Sequence, residues 1–332
     1  MDGVLTLPAL DRLTWRPATA RDLPALARLL AAIEAVDRTG EHYDESDIGD
    51  DLADPAVDAA RDTLVAVDPD GEAWAYGALR GAATVRDVDR IWIDGGVHPA
   101  LRGRGLGRRV LGWQDARAAE LHRERHPKVP GEALVSVYES APSRTALVQA
   151  AGYAKVRYFH DMERDLSTDL PTVRPAPDGL RVVPFDPRYD QAVLRAHREA
   201  FAGHWGSTPP DPVRWQHWYT GNRSFRPELS RLILDGDEVA AYLLTYFFAA
   251  DAEATGVREA WVGQLGTREA WRRRGLASLL LVTALYAYRE AGYQQAGLDV
   301  DSENPTGALG LYERLGFVLD RRWVTWSKAL LP

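Results

Sequence analysis

The chain has no cysteine among its 332 residues. That absence excludes disulfides, thiolate zinc sites and a catalytic thiol. A basic excess is also missing. Lys and Arg number 40 against 48 Asp and Glu, a formal charge of -8, and wholesale nucleic-acid binding needs a broad basic face. Long apolar runs are absent as well: the most apolar segment, residues 276–288, is too short to span a bilayer and ends in Arg289-Glu290. Residues 1–13 lack a basic region ahead of an apolar run, so no secretory signal is expected. The expectation is a soluble, cytoplasmic protein without a membrane or nucleic-acid partner and without a metal. Its oligomeric state is left open, a monomer being compatible with the sequence. No Gly-Lys-[Ser/Thr] and no Gly-x-Gly-x-x-Gly opening a βαβ unit occurs, which excludes a nucleoside-triphosphatase loop and a Rossmann site.

What the chain does contain is enough length for two domains and two similar Gly-rich turns. Leu101-Arg102-Gly103-Arg104-Gly105-Leu106-Gly107 follows a predicted strand over 90–97 and precedes a long predicted helix. Trp271-Arg272-Arg273-Arg274-Gly275-Leu276-Ala277 does the same after a strand over 260–265. The elements around them recur in one order. Strand 13–16, a helix through Leu23 to Ile33 opened by a Thr19/Asp22 capping box, and a hairpin of 63–67 with 73–79 precede the first turn. An acidic helix is expected within 41–54. Strand 133–138, helix 142–151 and strand 153–164 close the first half.

Three prolines between Ser167 and Gly179 mark a linker over 167–178, separating domains 1–166 and 179–332. The second half repeats the order with strand 180–183, helix 189–201, a hairpin of 232–234 with 239–248, strand 296–300 and helix 307–315. Arg102 and Arg272 lie 170 residues apart (272 − 102), and Gly152 and Gly316 lie 164 apart (316 − 152), so the chain is an internal duplication. Each copy mixes a hairpin-rich sheet with helices, an α+β pattern.

Each turn reads as a phosphate cradle: glycines keep bulk off the backbone, and the helix that follows opens with unpaired N–H groups that favour anions. Arg102-x-x-Gly105-x-Gly107 and Arg272-x-x-Gly275-x-Ala277 resemble the [Gln/Arg]-x-x-Gly-x-[Gly/Ala] signature of the GNAT superfamily of acetyl-CoA-dependent N-acyltransferases. Val97-His98-Pro99 before the first turn, and Asn304, Leu311-Tyr312, Gly316 and Phe317 in the second copy, fit the same family. The tandem layout is similar to that of the mycothiol synthase family, whose C-terminal copy is the active one.

This resemblance implies two GNAT domains, each a mixed and mostly antiparallel sheet flanked by helices, with a non-catalytic first copy and a catalytic second one. It implies acetyl-CoA as cosubstrate and a small-molecule amine as acceptor, acetylated by direct attack on the thioester. Leu265, Gly266, Thr267, Arg272, Arg273, Arg274, Gly275, Leu276, Ala277 and Asn304 are the implied cofactor contacts of the second copy, and Val97, Arg102, Gly103, Arg104, Gly105, Leu106 and Gly107 those of the first. Asn304 has helix capping as its alternative role.

Tyr312 is the implied general acid for the leaving thiolate, since a phenol stays protonated at neutral pH; an ordinary core tyrosine is the alternative. Glu259 is the candidate base, acting directly, through water or after a bulge-shifted register, against the alternative of a solvated strand-end carboxylate. Asp299 and Asp301 end the strand where family members admit acceptor, and carboxylates there attract a cationic amine. His204 is a further acceptor contact or a structural loop histidine. The first copy has Val148 where the second has Tyr312, and the second carries an inserted Pro305. A CoA-responsive binding protein without catalysis is the alternative function.

Overall fold

The computed structural model describes residues 7–304 and 307–330, so the inserted Pro305 and residues 1–6 lie outside the described residues. Contacts divide the chain into two compact units, Met1–Val156 with Trp323–Pro332, and Arg157–Arg322. This division departs from the expected boundary at 167–178, and strand pairing is the reason.

In the first unit the elements run β1 (Thr14–Arg16), α1 (Leu23–Asp37), α2 (Glu45–Leu52), α3 (Ala59–Asp62), β2 (Thr63–Val67), β3 (Ala73–Gly81), β4 (Asp89–Val97), α4 (Leu106–Arg125), β5 (Gly131–Tyr138) and α5 (Pro142–Ala150). The next strand, β6 (Ala154–Asp165), pairs its residues 159–165 within the second unit. That unit continues with β7 (Leu180–Pro184), α6 (Asp190–Ala200), α7 (Pro212–Trp215), β8 (Arg231–Asp235), β9 (Glu238–Tyr246), α8 (Ala249–Thr255), β10 (Glu259–Thr267), α9 (Leu276–Glu290), β11 (Gln295–Asp301) and α10 (Ala308–Arg314). The last strand, β12 (Val318–Leu330), pairs residues 323–330 with β5 of the first unit. Each copy therefore completes its sheet with the final strand of the other copy's sequence.

Local chemistry accounts for the elements. Thr19 N–H donates to Asp22 Oδ2 at 2.8 Å and sets the start of α1, whose Leu26 and Leu29 are buried under the sheet. Asp68-Pro69-Asp70-Gly71 turns the β2–β3 hairpin with Gly71 at φ 87, a conformation open to glycine. In α9, Leu279, Leu280, Leu281, Ala284, Leu285 and Tyr288 fill one face of the second sheet; Trp215, Tyr242, Leu244 and Tyr246 fill the other.

The decisive feature is repeated. β1–β2–β3–β4 and β7–β8–β9–β10 are antiparallel ladders. β4 then pairs with β5 in parallel over four residues, from Asp89↔Gly131 to Trp92↔Leu134, and parts from it. β10 pairs with β11 over the equivalent four, from Glu259↔Gln295 to Val262↔Leu298, and parts likewise. Beyond each parallel stretch a strand edge with its N–H and C=O groups opens into a wedge.

Four segments had no sequence assignment: α3, α7, α8 and the 13-residue β12. The expected strand over 239–248 stops at Tyr246, and α8 begins at Ala249.

Candidate active site

Arg272, Arg273, Arg274 and Gly275 of the second copy's signature surround a helix start that no side chain caps. Gly275, at φ 77, is the N-cap of α9 and offers no side-chain acceptor to the first N–H groups. A Cβ on Gly275 would meet nothing within 4 Å, so the turn is open. Arg273 adopts φ 60, and Arg272, Arg273 and Arg274 are exposed and form no ion pair with a described residue. Unsatisfied N–H groups at the start of a 15-residue helix, beside three free cations, fit a pyrophosphate.

Arg272 itself braces the turn. Its Nε donates to Thr267 O at 3.2 Å and its Nη2 to Ala200 O at 3.2 Å. In the first copy Arg102 Nε donates to the equivalent carbonyl, Val97 O, at 3.3 Å. Its terminal nitrogens, however, grip the Asp37 carboxylate at 2.6 and 2.8 Å. Val97, Arg102, Gly103, Gly105 and Gly107 line a cavity of about 290 Å³, together with Asp94, Arg144 and Val148. Arg104 is exposed and Leu106 is packed into the core. Arg144 Nη2 donates to Asp94 Oδ1 at 2.7 Å, an ion pair within that cavity.

Strand β10 carries a bulge at Gly263, between the pairs Val262↔Thr245 and Gln264↔Leu244. It reverses the alternation. Glu259 and Trp261 share one face, while Leu265 turns to the opposite, α9-covered core. Gly266 is required by Tyr242, whose ring lies 2.4 Å from where a Cβ would stand. Leu276 is buried in the core, and Ala277 is half-buried in the first turn of α9.

Tyr312 and Val148 occupy equivalent places, because Phe317 N donates to Tyr312 O and Tyr153 N to Val148 O, both at 3.1 Å. Tyr312 is 8% exposed and its hydroxyl makes no hydrogen bond to any described residue. Burial and then the charge of Asp299 raise its pKa, so it holds its proton at neutral pH.

Asp299 is the first β11 residue beyond the last pair with β10, at the crotch of the wedge. Its side chain is exposed to solvent yet crowded by the surrounding protein; that partial desolvation and then Asp161 push its pKa up to about 6. Glu259 stands four residues before the bulge. Burial, against Arg321 and together with Asp251, Glu163 and Asp320, pushes it up to about 7. It makes no hydrogen bond to a described residue.

Asp301 is not a free acceptor carboxylate: Arg157 Nε donates to its Oδ2 at 3.0 Å, and Glu303 N–H to its Oδ1 at 2.9 Å. His204 Nδ1 bonds Trp205 O at 3.0 Å, leaving Nε2 free, and Trp205 lies against Phe159 of β6. Asn304 does not cap α10, whose N-cap is Gly307 at φ 71 without a side-chain cap. Its carbonyl accepts from Gly307 N at 3.2 Å.

Sequence reading missed Asp161 and Glu163 of β6. They face Asp299 and Gly297 across an antiparallel pair, and β6 enters this unit only through tertiary pairing. Among the described residues no group of three or more His, Cys, Asp or Glu could hold a metal ion, and no helix is long and apolar enough to cross a membrane.

A parallel strand pair that parts beside a bulged strand, with an uncapped, arginine-flanked helix start at its mouth, defines an α+β acyltransferase of the GNAT fold in two tandem copies. The model of the acetyltransferase (GNAT) family matches residues 191–317. The mycothiol acetyltransferase of Geodermatophilus obscurus is 30% identical over 92% of this chain and 94% of its own length. That of Frankia alni is 26% identical over 98% and 97%. A solved GCN5-related N-acetyltransferase from Sphaerobacter thermophilus superposes with TM-score 0.75 at 29% identity, over 98% of each chain. A tandem GNAT protein from the clavulanic acid biosynthesis pathway has TM-score 0.66 at 20% identity over 96% of this chain and 99% of that one, a likeness of fold. The chain belongs to the GNAT acetyltransferase family, with the tandem layout of the mycothiol acetyltransferases, and is an N-acetyltransferase.

Proposed function

We propose that the second copy transfers acetyl from acetyl-CoA to the amine of a small molecule by direct attack on the thioester, and that the first copy does not catalyse. The observation that carries this reading is the contrast at equivalent places: Tyr312, with a free hydroxyl, against Val148. The phosphate turns support it, since the second has three unpaired arginines and the first has Arg102 neutralised by Asp37.

Acetyl-CoA supplies the activated acyl group. The α9 start and Arg272–Arg274 hold its pyrophosphate, while Asn304 meets its arm. Backbone N–H groups on the open edge of β10 near Leu265, Gly266 and Thr267 bind the thioester oxygen as charge develops. The attacking ammonium gives its proton to the carboxylates of the open face, with Asp299 at the crotch and Glu259 behind it through water. Tyr312 protonates the departing thiolate. His204 stands at the rim of the acceptor groove, and no metal takes part in this scheme. The relatives are named for mycothiol; the carboxylates here favour a cationic acceptor.

Release of CoA thiol from acetyl-CoA across a panel of amines tests the reading. Amine-dependent release that is lost in Tyr312→Phe is expected. Tight acetyl-CoA binding without transfer to any amine would instead make the chain a CoA-responsive binding protein, a role that the cavity beside Val148 suggests for the first copy.

A further inference from the structure

On the face of β6, β10 and β11 that also carries Asp165 and the Arg157-paired Asp301, four further carboxylates fall into two groups. Asp161 of β6 lies directly opposite Asp299 of β11. Two residues along, Glu163 lies opposite Gly297, and the Glu259 carboxylate of β10 occupies the space over that glycine: a Cβ there would stand 2.7 Å from Glu259 Oε2. Like charges directly opposite in a sheet are destabilising, so the Asp161–Asp299 pair, with Glu163 and Glu259 approaching each other across Gly297 of the strand between them, calls for compensation. One cation, Arg321, supplies part of it, 3.5 Å from Asp161 and 2.9 Å from Asp320. Asp251 adds a further negative charge near Glu259. The upward shifts of Asp299, Glu163 and Glu259 agree with an excess of negative charge on this face.

A second observation points the same way. The Tyr312 hydroxyl, on a residue more than nine-tenths buried, has no partner among the described residues, and the Asp299 charge acts on it. A molecule that reaches the crotch meets this hydroxyl beside the Asp299 carboxylate.

We infer that the acceptor is a dication, a linear diamine whose reacting end lies between Asp161 and Asp299 at the crotch and whose far ammonium lies between Glu163 and Glu259. This rests on the acetyl-transfer reading and narrows its substrate class. The two pairs are two residues apart along the strands, about 7 Å, which a four- or five-carbon spacer between ammonium groups matches. Trp205 lies against Phe159, two residues before Asp161 on β6, and its ring is 5.6 Å from the Arg157 guanidinium. In the reaction the inner nitrogen gives one proton to Asp299, its lone pair forms the new bond to the acetyl carbon, the carbon–sulfur bond breaks with the proton of Tyr312 going to sulfur, and the second proton of that nitrogen passes to the Tyr312 phenolate, which leaves a neutral amide and restores the phenol. Asp299, open to solvent, then releases its proton to water. The far ammonium is unchanged.

Calorimetry on the full chain with CoA present, at about pH 8 where carboxylates are ionised and amines charged, compares 1,4-diaminobutane with 1-aminobutane. The diamine is expected to bind about tenfold more tightly. Glu163→Gln is expected to abolish that preference while changing 1-aminobutane affinity by less than about twofold. Equal affinities in the natural chain, no binding of either amine, or an undiminished preference in Glu163→Gln would each overturn the inference. If Glu163→Gln does not fold, a series from 1,2-diaminoethane to 1,6-diaminohexane decides on the natural chain: an optimum at four or five carbons is expected, and a flat series overturns it. CoA release is read separately. A diamine that binds without release removes the acetyl-transfer reading and leaves the groove, whereas release with monoamines and no diamine preference does the reverse.

Discussion

The Glu259 carboxylate sits over the backbone of Gly297, so close that a methyl group at Gly297 would fall 2.7 Å from Glu259 Oε2 and 2.6 Å from Trp261 Cε3. A glycine in the middle of β11 costs strand stability, yet it gives a carboxylate from the neighbouring strand a place on the open face. Gly297→Ala should therefore displace Glu259 and Trp261 and cost about 1–3 kcal/mol through overpacking. Thermal denaturation checks the cost; a melting temperature unchanged from the natural chain would mean that the carboxylate has room to move.

Tyr312→Phe removes the hydroxyl and keeps the ring against Phe317 at 6.1 Å. Turnover is expected to fall about 100-fold or more, the usual contribution of a positioned acid, with acetyl-CoA affinity nearly unchanged. Steady-state kinetics alongside acetyl-CoA titration separates the two effects. Unchanged turnover removes the acid role.

Glu259 titrates at about 7 in the folded chain against an ordinary value of 4.5. The native state then binds more protons than the unfolded state between those values, so this group makes stability fall as pH rises through that window, and above it the full penalty applies. Glu259→Gln should raise the melting temperature relative to the natural chain at about pH 8 and lose that advantage at about pH 4. An identical difference at both pH values would show that Glu259 is not shifted.

Arg272→Lys keeps the charge but loses the planar fork that joins Thr267 O to Ala200 O. Loss of these two bonds should cost about 1–2 kcal/mol of stability. Because they fix the turn, acetyl-CoA affinity should drop about tenfold as well. If melting is unaffected while affinity falls, Arg272 contacts the phosphate and does not brace the turn.

The Asp301 side chain is 1% exposed and its partner Arg157 18%. Arg157→Ala strands a buried carboxylate and should destabilise the chain by about 3 kcal/mol, while Arg157→Ala combined with Asp301→Asn recovers most of the loss. Chemical denaturation of the two variants measures both; equal losses would mean that the pair is not the source.

Much of the molecule was legible in the residues. The two Gly-rich turns, the near-equal spacings and the hairpins gave the duplication and the α+β class, because turns and periodicity are set by local sterics. Tyr312 and Val148 could be aligned for the same reason, each being followed by a helix end and a glycine. What local rules could not reach was pairing between distant segments. Nothing in residues 154–165 announces that they complete the second sheet, nor in 323–330 that they complete the first. With that exchange come Asp161 and Glu163 beside Asp299 and Glu259, and the bulge at Gly263 that sends Leu265 away from the face of Glu259. Arg102 and Arg272 read alike in sequence, yet one faces Asp37 and the other the carbonyl of Ala200. Sequence determined which copy carries a tyrosine at this place; the tertiary structure decided which arginine meets a carboxylate and which carboxylates meet each other, since charge acts through space and not along the chain.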